Sequence, residues 1–262
     1  TTNALEAVAS LGGPEWFLLG DKDIGLHLVR SERLRGGERL SAITADLAHR
    51  LDVGVRLLPV TDDPVATSLE TSAGTLDFQT YFVKRRHQDT VLAVRYEGAE
   101  SAAPAPGVLA ALEESDVLIV APSNPYLSIG PILAVEGIAR TLARREHPAV
   151  AISPIIGGKA VKGPADRMLE TFAGEASVVA LARHYEGLLT HLLIDDQDAG
   201  AVEELEAGGL DVGVTDTLMS DRGARARVAQ AAVDLAGVGN DPRPTVDGVS
   251  SAGDRDRPRE RA

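Results

Sequence analysis

The sequence predicts an α/β fold in which helices flank a mostly parallel β-sheet, with a helical N-terminal part and a small insertion of extended strands. Residues 116–121 are nearly continuous in apolar side chains, as strands buried on both faces of a parallel sheet are. A loop and a helix follow them, and residues 149–172 repeat the order strand, loop, helix. Successive units of this kind place their strands side by side in one parallel sheet.

The N-terminal fifty residues are predicted to be helical. A first helical pattern begins near Leu5, and apolar residues recur at roughly helical spacing from Leu26 to Leu51 among Arg, Glu and Asp. The pair Gly36-Gly37 divides this second stretch into two helices.

Extended segments are predicted next. Residues 53–60 are a short β-rich apolar run that ends at a turn of Asp and Pro. Residues 67–71, 76–83 and 91–96 have the same character, and Gly74 lies between the first two of these, as in a hairpin.

The remaining pattern alternates helices and strands. The last two strands are predicted at 191–195 and 211–215, with a helix between them. Further helices are predicted at 108–114, 132–144, 165–172, 176–185 and 224–235. Residues 239–262 are rich in Pro, Gly, Asp and Arg with almost nothing to bury, and they are predicted to be disordered. We therefore expect one domain over residues 1–238.

The composition excludes several classes of function. The 262 residues contain no cysteine, which rules out a disulfide framework, a thiolate metal site and a cysteine nucleophile. A net charge of −13 argues against non-specific binding to nucleic acid, although a small phosphorylated ligand needs only a local nest of N–H groups and one or two cations. No apolar run of about 18 residues is present, so we expect no membrane association and a cytoplasmic protein.

A glycine-rich loop after the second predicted strand is the first candidate site. Gly157 and Gly158 allow the backbone to approach a ligand closely, and Lys159 and Lys162 add charge suited to a diphosphate. The helix that follows would point its N–H groups at the same place. An ordinary loop, with glycine for turning and lysine for solubility, explains the pattern about as well.

A second loop follows the first predicted strand. Ser123 and Asn124 offer hydrogen-bond donors and acceptors, and Ser128 and Gly130 precede the next helix. Any tight turn favours the same residue types. Beside the glycine-rich loop, however, this loop would complete a two-sided crevice at the carboxyl ends of the strands.

Two further positions are weaker candidates. Asp62 and Asp63 could hold Mg²⁺ between protein and phosphate oxygens, although a turn that caps the strand before Pro64 is the simpler interpretation. Lys22 lies in Gly20-Asp21-Lys22-Asp23, which locally indicates no more than the start of a helix.

Several of these segments together resemble the 2-phospho-L-lactate transferase (CofD) family. They lie in the family's order and span nearly everything from Leu5 to Leu235. The matching runs are residues 16–23, 58–64, 78–86, 122–135, 153–168 and 215–219.

The resemblance implies a Rossmann-like fold and a phosphotransferase-class reaction. Such enzymes transfer a phospholactyl or phosphoenolpyruvyl group from a guanosine-diphosphate-activated donor to the deazaflavin Fo in the biosynthesis of coenzyme F-420, releasing GMP with Mg²⁺. It implies that Lys22 contacts Fo, and that the loops of Ser123, Asn124, Ser128 and Gly130 and of Gly157, Gly158 and Lys159 hold the donor nucleotide. We also expect a homodimer.

This sequence departs from the family pattern at its start. Family members open with a glycine-rich strand and loop and an Asn-Thr-Gly-Asp-Asp segment that supplies metal and Fo contacts, and neither is found here. The sequence, which starts Thr1-Thr2-Asn3 without methionine, is therefore expected to begin inside the family pattern, and no general base is assigned.

A non-catalytic regulator is the chief alternative. Relatives of the gluconeogenesis-factor type have the same fold and bind nucleotide sugars. The setting of Lys22 and the run 78–86 favour the transferase. A structural oligomer subunit has no positive support in the sequence.

Overall fold

The computed structural model describes residues 1–237. The predicted N-terminal helices are confirmed as α1 (Asn3–Ser10), α2 (Asp21–Arg35) and α3 (Leu40–Arg50). Gly36 and Gly37 end α2, and Gly37 takes the left-handed φ of 85° that few other residues adopt.

A small antiparallel sheet follows these helices. Strand β1 (Ala66–Thr71) lies between β2 (Gly74–Asp77) and β3 (Val91–Glu97). The hairpin predicted at Gly74 is confirmed, since Thr71 pairs with Gly74 across the turn.

Two predicted extended segments are wrong in whole or in part. Residues 53–60 lie outside every described strand, because Pro59 has no N–H for a ladder and Leu58 and Val60 instead pack irregularly against a buried cluster. The segment predicted at 76–83 leaves the extended conformation after Asp77. That carboxylate accepts hydrogen bonds from the N–H and hydroxyl of Thr80, at 2.9 and 2.6 Å, and a π-helical turn begins there (Thr80–Lys84).

The parallel sheet is confirmed. After α4 (Val108–Glu114), it consists of β4 (Leu118–Val120), β5 (Ala149–Ile152), β8 (His191–Ile194) and β9 (Asp211–Val214), hydrogen-bonded in that order. All three pairings are parallel, so the four carboxyl ends lie at one edge.

Helices cover both faces of this sheet because β5 and β8 bury side chains on alternate sides. On one face, Leu192 and Ile194 pack against α8 (Val178–His184) and α9 (Val202–Ala207). On the other face, Leu193 packs against α10 (Arg222–Leu235).

Strand β4 differs from its prediction. It is an edge strand whose Ile119 is exposed, rather than a strand buried on both faces. The helix predicted after it, at 132–144, is divided at Gly137, whose φ of 86° an α-helix cannot accommodate. Its parts are α5 (Gly130–Leu133) and α6 (Ile138–Ala143).

The loop after β5 contains a short hairpin of β6 (Ile155–Ile156) and β7 (Lys159–Ala160), followed by α7 (Ala165–Ala173). A 3₁₀ turn (Asp196–Ala201) precedes α9. No helix within residues 1–237 is long and apolar enough to span a membrane. The predicted disordered tail at 239–262 lies outside the described residues.

Candidate active site

A cavity of about 580 Å³ lies at the carboxyl ends of the parallel strands. Loops that follow β4, β5 and β9 form three of its walls, and aromatic side chains from the segment that follows β2 form the fourth. Its position and size are those expected of a ligand site in a parallel α/β sheet.

The wall after β4 contains the predicted Ser123, Asn124 and Ser128. The Asn124 side-chain oxygen accepts from the N–H groups of Tyr126 and Leu127, both at 2.9 Å, and so caps a π-helical turn (Pro125–Ile129). Its amide nitrogen donates to the Met168 sulfur at 3.4 Å. Asn124 therefore shapes the wall, whereas the hydroxyls of Ser123 and Ser128 have no protein partner among residues 1–237.

Gly130 lies behind this wall and does not line the cavity. The Tyr96 hydroxyl, from β3, donates to the carbonyl of Tyr126 and passes so close to Gly130 that a Cβ there would overlap it. Gly130 thus allows the small sheet to hold the π-helical turn in place.

Groups packed behind the wall stay uncharged near neutral pH. Burial raises the pKa of Tyr126 and raises the pKa of Tyr96 to about 12. Burial also lowers the pKa of His184, whose ring lies edge-on to Tyr126 with 4.6 Å between centroids. These groups pack the loop from behind, and none of them lines the cavity.

The wall after β5 supplies a cation and a helix N-terminus. Lys162 is exposed to the cavity and has no carboxylate partner within the described residues. Pro164 precedes α7 and supplies no side-chain cap, although the N–H of Arg167 donates to the Asp166 carboxylate at 2.9 Å. Ala165, at the first position of α7, lines the cavity. The remaining N–H groups of this helix N-terminus, beside an unpaired ammonium group, favour an anionic ligand.

The wall after β9 is fixed by a buried carboxylate. Asp195, at the end of β8, accepts from the N–H and the hydroxyl of Thr217, at 2.9 and 3.1 Å. Thr217 and Ser220 line the cavity, and so does Arg225 from the first turn of α10. The Arg225 guanidinium has no carboxylate partner among residues 1–237. The chain has a net charge of −13, so two unpaired cations on one cavity indicate an anion site.

Phe78 and Phe82 form the aromatic wall. Their rings stack with 5.3 Å between centroids and 20° between planes. Phe82 also faces Gly163, where a Cβ would lie 3.4 Å from its ring. The cavity therefore has an aromatic side as well as a cationic one.

Gly157, Gly158 and Lys159 do not line the cavity that Lys162 lines. Lys159 lines an adjoining cavity of about 490 Å³. The Gly157 N–H donates to a carboxylate oxygen of Asp198 at 3.0 Å, and burial raises the pKa of Asp198. Both glycines use left-handed φ angles, 54° and 76°, to turn the hairpin between β6 and β7.

Asp62 and Asp63 hold neighbouring segments together. Asp62 accepts from the N–H and hydroxyl of Ser41, at 2.6 and 2.8 Å, and thereby caps α3. Asp63 accepts from the N–H of Ala103 at 2.9 Å. Neither lines the cavity, and residues 1–237 contain no group of three or more His, Cys, Asp or Glu side chains placed to hold a metal ion. Asp62 and Asp63 thus have a structural role that differs from the predicted cap on a strand before Pro64, and their assignment as metal ligands stays a prediction.

Lys22 is exposed at the second position of α2 and does not line the cavity. Six residues earlier in the chain, the ring centroid of Trp16 lies 5.8 Å from the ammonium group of Lys84, which belongs to the π-helical turn of Phe82. A contact between Lys22 and Fo stays a prediction.

Comparison with known proteins decides the family. A family model for the 2-phospho-L-lactate transferase CofD matches residues 4–230. The chain belongs to this family. Membership confirms the resemblance recognised in the sequence and makes the chain a transferase of the phospholactate or phosphoenolpyruvate type.

Curated relatives of the chain are named phosphoenolpyruvate transferase. A phosphoenolpyruvate transferase of Streptomyces griseus is 45% identical over 242 residues, covering 90% of this chain and 76% of the relative. Those of Thermobifida fusca and Mycolicibacterium smegmatis are 45% and 38% identical, covering 85% and 91% of this chain and 69% and 75% of each relative.

A solved structure supports the fold alone. A protein of the UPF0052 family from Bacillus halodurans superposes with a TM-score of 0.53 at 17% identity, covering 74% of this chain and 67% of that one.

Sequence reasoning left several residues of the cavity unassigned, and Phe78, Phe82 and Arg225 are the most informative of them. Phe78 and Phe82 fall in a run that carried the family resemblance, yet as isolated aromatics they predicted only a strand. Arg225 is one of several arginines in the final helix, and nothing in the spacing distinguishes it from its neighbours.

Proposed function

We propose that the chain transfers a phosphoenolpyruvyl group from a guanosine-diphosphate-activated donor to the deazaflavin Fo, releasing GMP, in the biosynthesis of coenzyme F-420. Family membership supports the reaction class. The relatives' name, phosphoenolpyruvate transferase, favours the enolpyruvyl over the lactyl donor.

One observation of this structure supports the proposal above others. Lys162 and Arg225 line one cavity together with the N-terminus of α7, and neither cation has a carboxylate partner among residues 1–237. A diphosphate needs this combination of cations and unsatisfied N–H groups.

Transfer of this kind requires little covalent chemistry from protein side chains, so positioning and charge neutralisation dominate. In this proposal, Lys162 and the N–H groups of α7 bind the diphosphate and stabilise the charge that grows on GMP as it leaves. Arg225 approaches the same phosphates from the first turn of α10. The hydroxyls of Ser123 and Ser128 orient the donor through neutral hydrogen bonds.

Mg²⁺, implied by the family, would neutralise phosphate charge when bound. Such ions bind through one or two carboxylates together with phosphate oxygens. The carboxylates of Asp62 and Asp63 are held by Ser41 and Ala103 away from the cavity, so no step of the proposal depends on them.

The test is mass spectrometry of the product formed by the full chain from Fo and each of the two guanosine-diphosphate-linked acids. The proposal expects an adduct of Fo and free GMP, formed faster from the enolpyruvyl donor. Binding of a uridine-diphosphate sugar without binding of Fo would favour the nucleotide-sugar regulator instead.

Arg225→Met provides a matched comparison with Arg222→Met. Arg222 lies in the same turn of α10, is exposed, and does not line the cavity. Loss of one charge-assisted contact should lower kcat/KM at least about tenfold for Arg225→Met, while Arg222→Met stays within about twofold of wild type. Equal effects of the two changes would show that Arg225 acts only through the general field of the protein.

A further inference from the structure

The aromatic wall of the cavity brings together residues that are rare in this chain. Aromatic residues make up only 3% of the chain, yet two of its four phenylalanines, Phe78 and Phe82, lie side by side on this wall. Both are half-buried, with an inner side against a buried cluster that includes Tyr81 and Met168. A ring that packs on the core with one side can offer the other to a ligand.

Rare backbone geometry presents the Phe82 ring. Phe82 lies in the π-helical turn Thr80–Lys84, and the opposite wall is formed by the π-helical turn Pro125–Ile129. Single π-helical turns are uncommon and are frequent at functional sites. Two of them line this one cavity.

The backbone after Phe82 is strained. Arg86 and His87 have left-handed φ angles of 51° and 46°, which cost free energy in residues with a side chain. The Arg167 guanidinium holds this segment through the His87 ring nitrogen, at 2.9 Å, and through the His87 carbonyl. The His87 ring in turn packs 5.2 Å from Phe82. Arg167 therefore stabilises the strained backbone at His87, and the His87 ring in turn holds the Phe82 ring in position.

The cationic loop approaches the same ring. Gly163 has a φ of 71° and no side chain, and a Cβ there would already lie 3.4 Å from Phe82. Lys162 precedes it directly. A ligand with a flat ring joined to phosphates could therefore contact both features at once.

We propose that Phe78 and Phe82 are a stacking platform for a planar heteroaromatic ring of a substrate. This inference rests on the proposed function, in which two rings are available: the guanine of the donor and the deazaflavin of the acceptor. Stacking suits either ring, because every such ring has a π-face. The competing interpretation is that the pair only completes the core beneath the small sheet.

Calorimetry with three ligands separates these interpretations. The ligands are guanosine diphosphate, Fo and inorganic pyrophosphate, which has phosphates but no ring. Phe78→Leu and Phe82→Leu remove an aromatic face and keep an apolar side chain, whereas Phe78→Tyr keeps the ring. Phe17→Leu is the matched control, since Phe17 packs against Trp16 outside the cavity.

The platform predicts an increase in Kd of about 3–10-fold for at least one ring-bearing ligand in both leucine variants. Pyrophosphate binding, Phe78→Tyr and Phe17→Leu should stay near wild type. Weakening confined to guanosine diphosphate assigns the platform to the donor base, and weakening confined to Fo assigns it to the acceptor.

Two outcomes overturn the platform while leaving the proposed function intact. One is unchanged binding of both ring-bearing ligands in the leucine variants. The other is equal loss of all three ligands, pyrophosphate included, which shows that the cavity has collapsed and that the pair is structural. Failure of the wild-type chain to bind any of the three ligands refutes the proposed function, and the platform with it.

Discussion

Replacement of Asn124 by alanine separates shaping of the cavity from direct contact with a ligand. The Asn124 side chain accepts two backbone hydrogen bonds at 2.9 Å, from Tyr126 and Leu127. Loss of a capping acceptor costs about 0.5–2 kcal/mol, and an N–H left unsatisfied away from water adds to this. We therefore expect Asn124→Ala to lower the free energy of unfolding by about 2 kcal/mol, which for a domain of this size lowers Tm by about 4–8 °C.

The same change should weaken guanosine diphosphate binding, because Ser123 and Ser128 lie in the loop that Asn124 holds. Asn124→Asp keeps the acceptor, so its Tm should stay near wild type. Its carboxylate would repel phosphates, so it should weaken guanosine diphosphate binding and spare guanosine. Ser177→Ala is the matched control: Ser177 caps α8 with one hydrogen bond of 3.0 Å, away from the cavity.

Calorimetry and thermal unfolding of the four proteins measure both effects. Ser177→Ala should lose stability and keep nucleotide binding. An Asn124→Ala protein with unchanged Tm refutes the capping role. If the Asn124→Ala protein loses stability but binds guanosine diphosphate as well as Ser177→Ala does, the loop of Asn124 does not contact the nucleotide.

Three other changes test other parts of the molecule. Gly130→Ala should lower the free energy of unfolding by about 1–3 kcal/mol in denaturant, because its Cβ overlaps the Tyr96 hydroxyl. Adding Tyr96→Phe should restore part of this loss, and no restoration would contradict the contact. Asp62→Asn should lower stability by about 1 kcal/mol without changing the Mg²⁺ dependence of transfer, and a raised Mg²⁺ requirement would instead support the metal site. Lys22→Ala should raise the Kd of Fo at least about tenfold while sparing guanosine diphosphate binding and Tm; a loss of nucleotide affinity alone would place Lys22 at the donor.

The periodic elements could be predicted from the sequence because their patterns are local. Helix 108–114 and the strands 191–195 and 211–215 agree with the structure within about two residues, the usual variation in such boundaries. The segment 76–83 could not be predicted, since Asp77 ends its strand by binding Thr80 through side-chain oxygens. Residue types that favour strands continue past that point to Val83 and give no sign of the change.

The candidate site was predicted in outline and not in detail. Placing ligand loops at the carboxyl ends of parallel strands follows from topology, and Ser123, Asn124 and Ser128 do line the cavity. Whether Lys159 or Lys162 enters it depends on the hairpin of β6 and β7. That hairpin turns on Gly157 and Gly158 and directs Lys159 to the adjoining cavity.

The comparison of these two lysines tests the central claim most directly. Both are exposed, unpaired among residues 1–237, and only three positions apart in one loop. The claim that the cavity holds the donor diphosphate predicts that Lys162→Met raises the Kd of guanosine diphosphate at least about tenfold in calorimetry, while Lys159→Met stays within about twofold of wild type. A larger loss from Lys159→Met, or unchanged affinity in both variants, would contradict it.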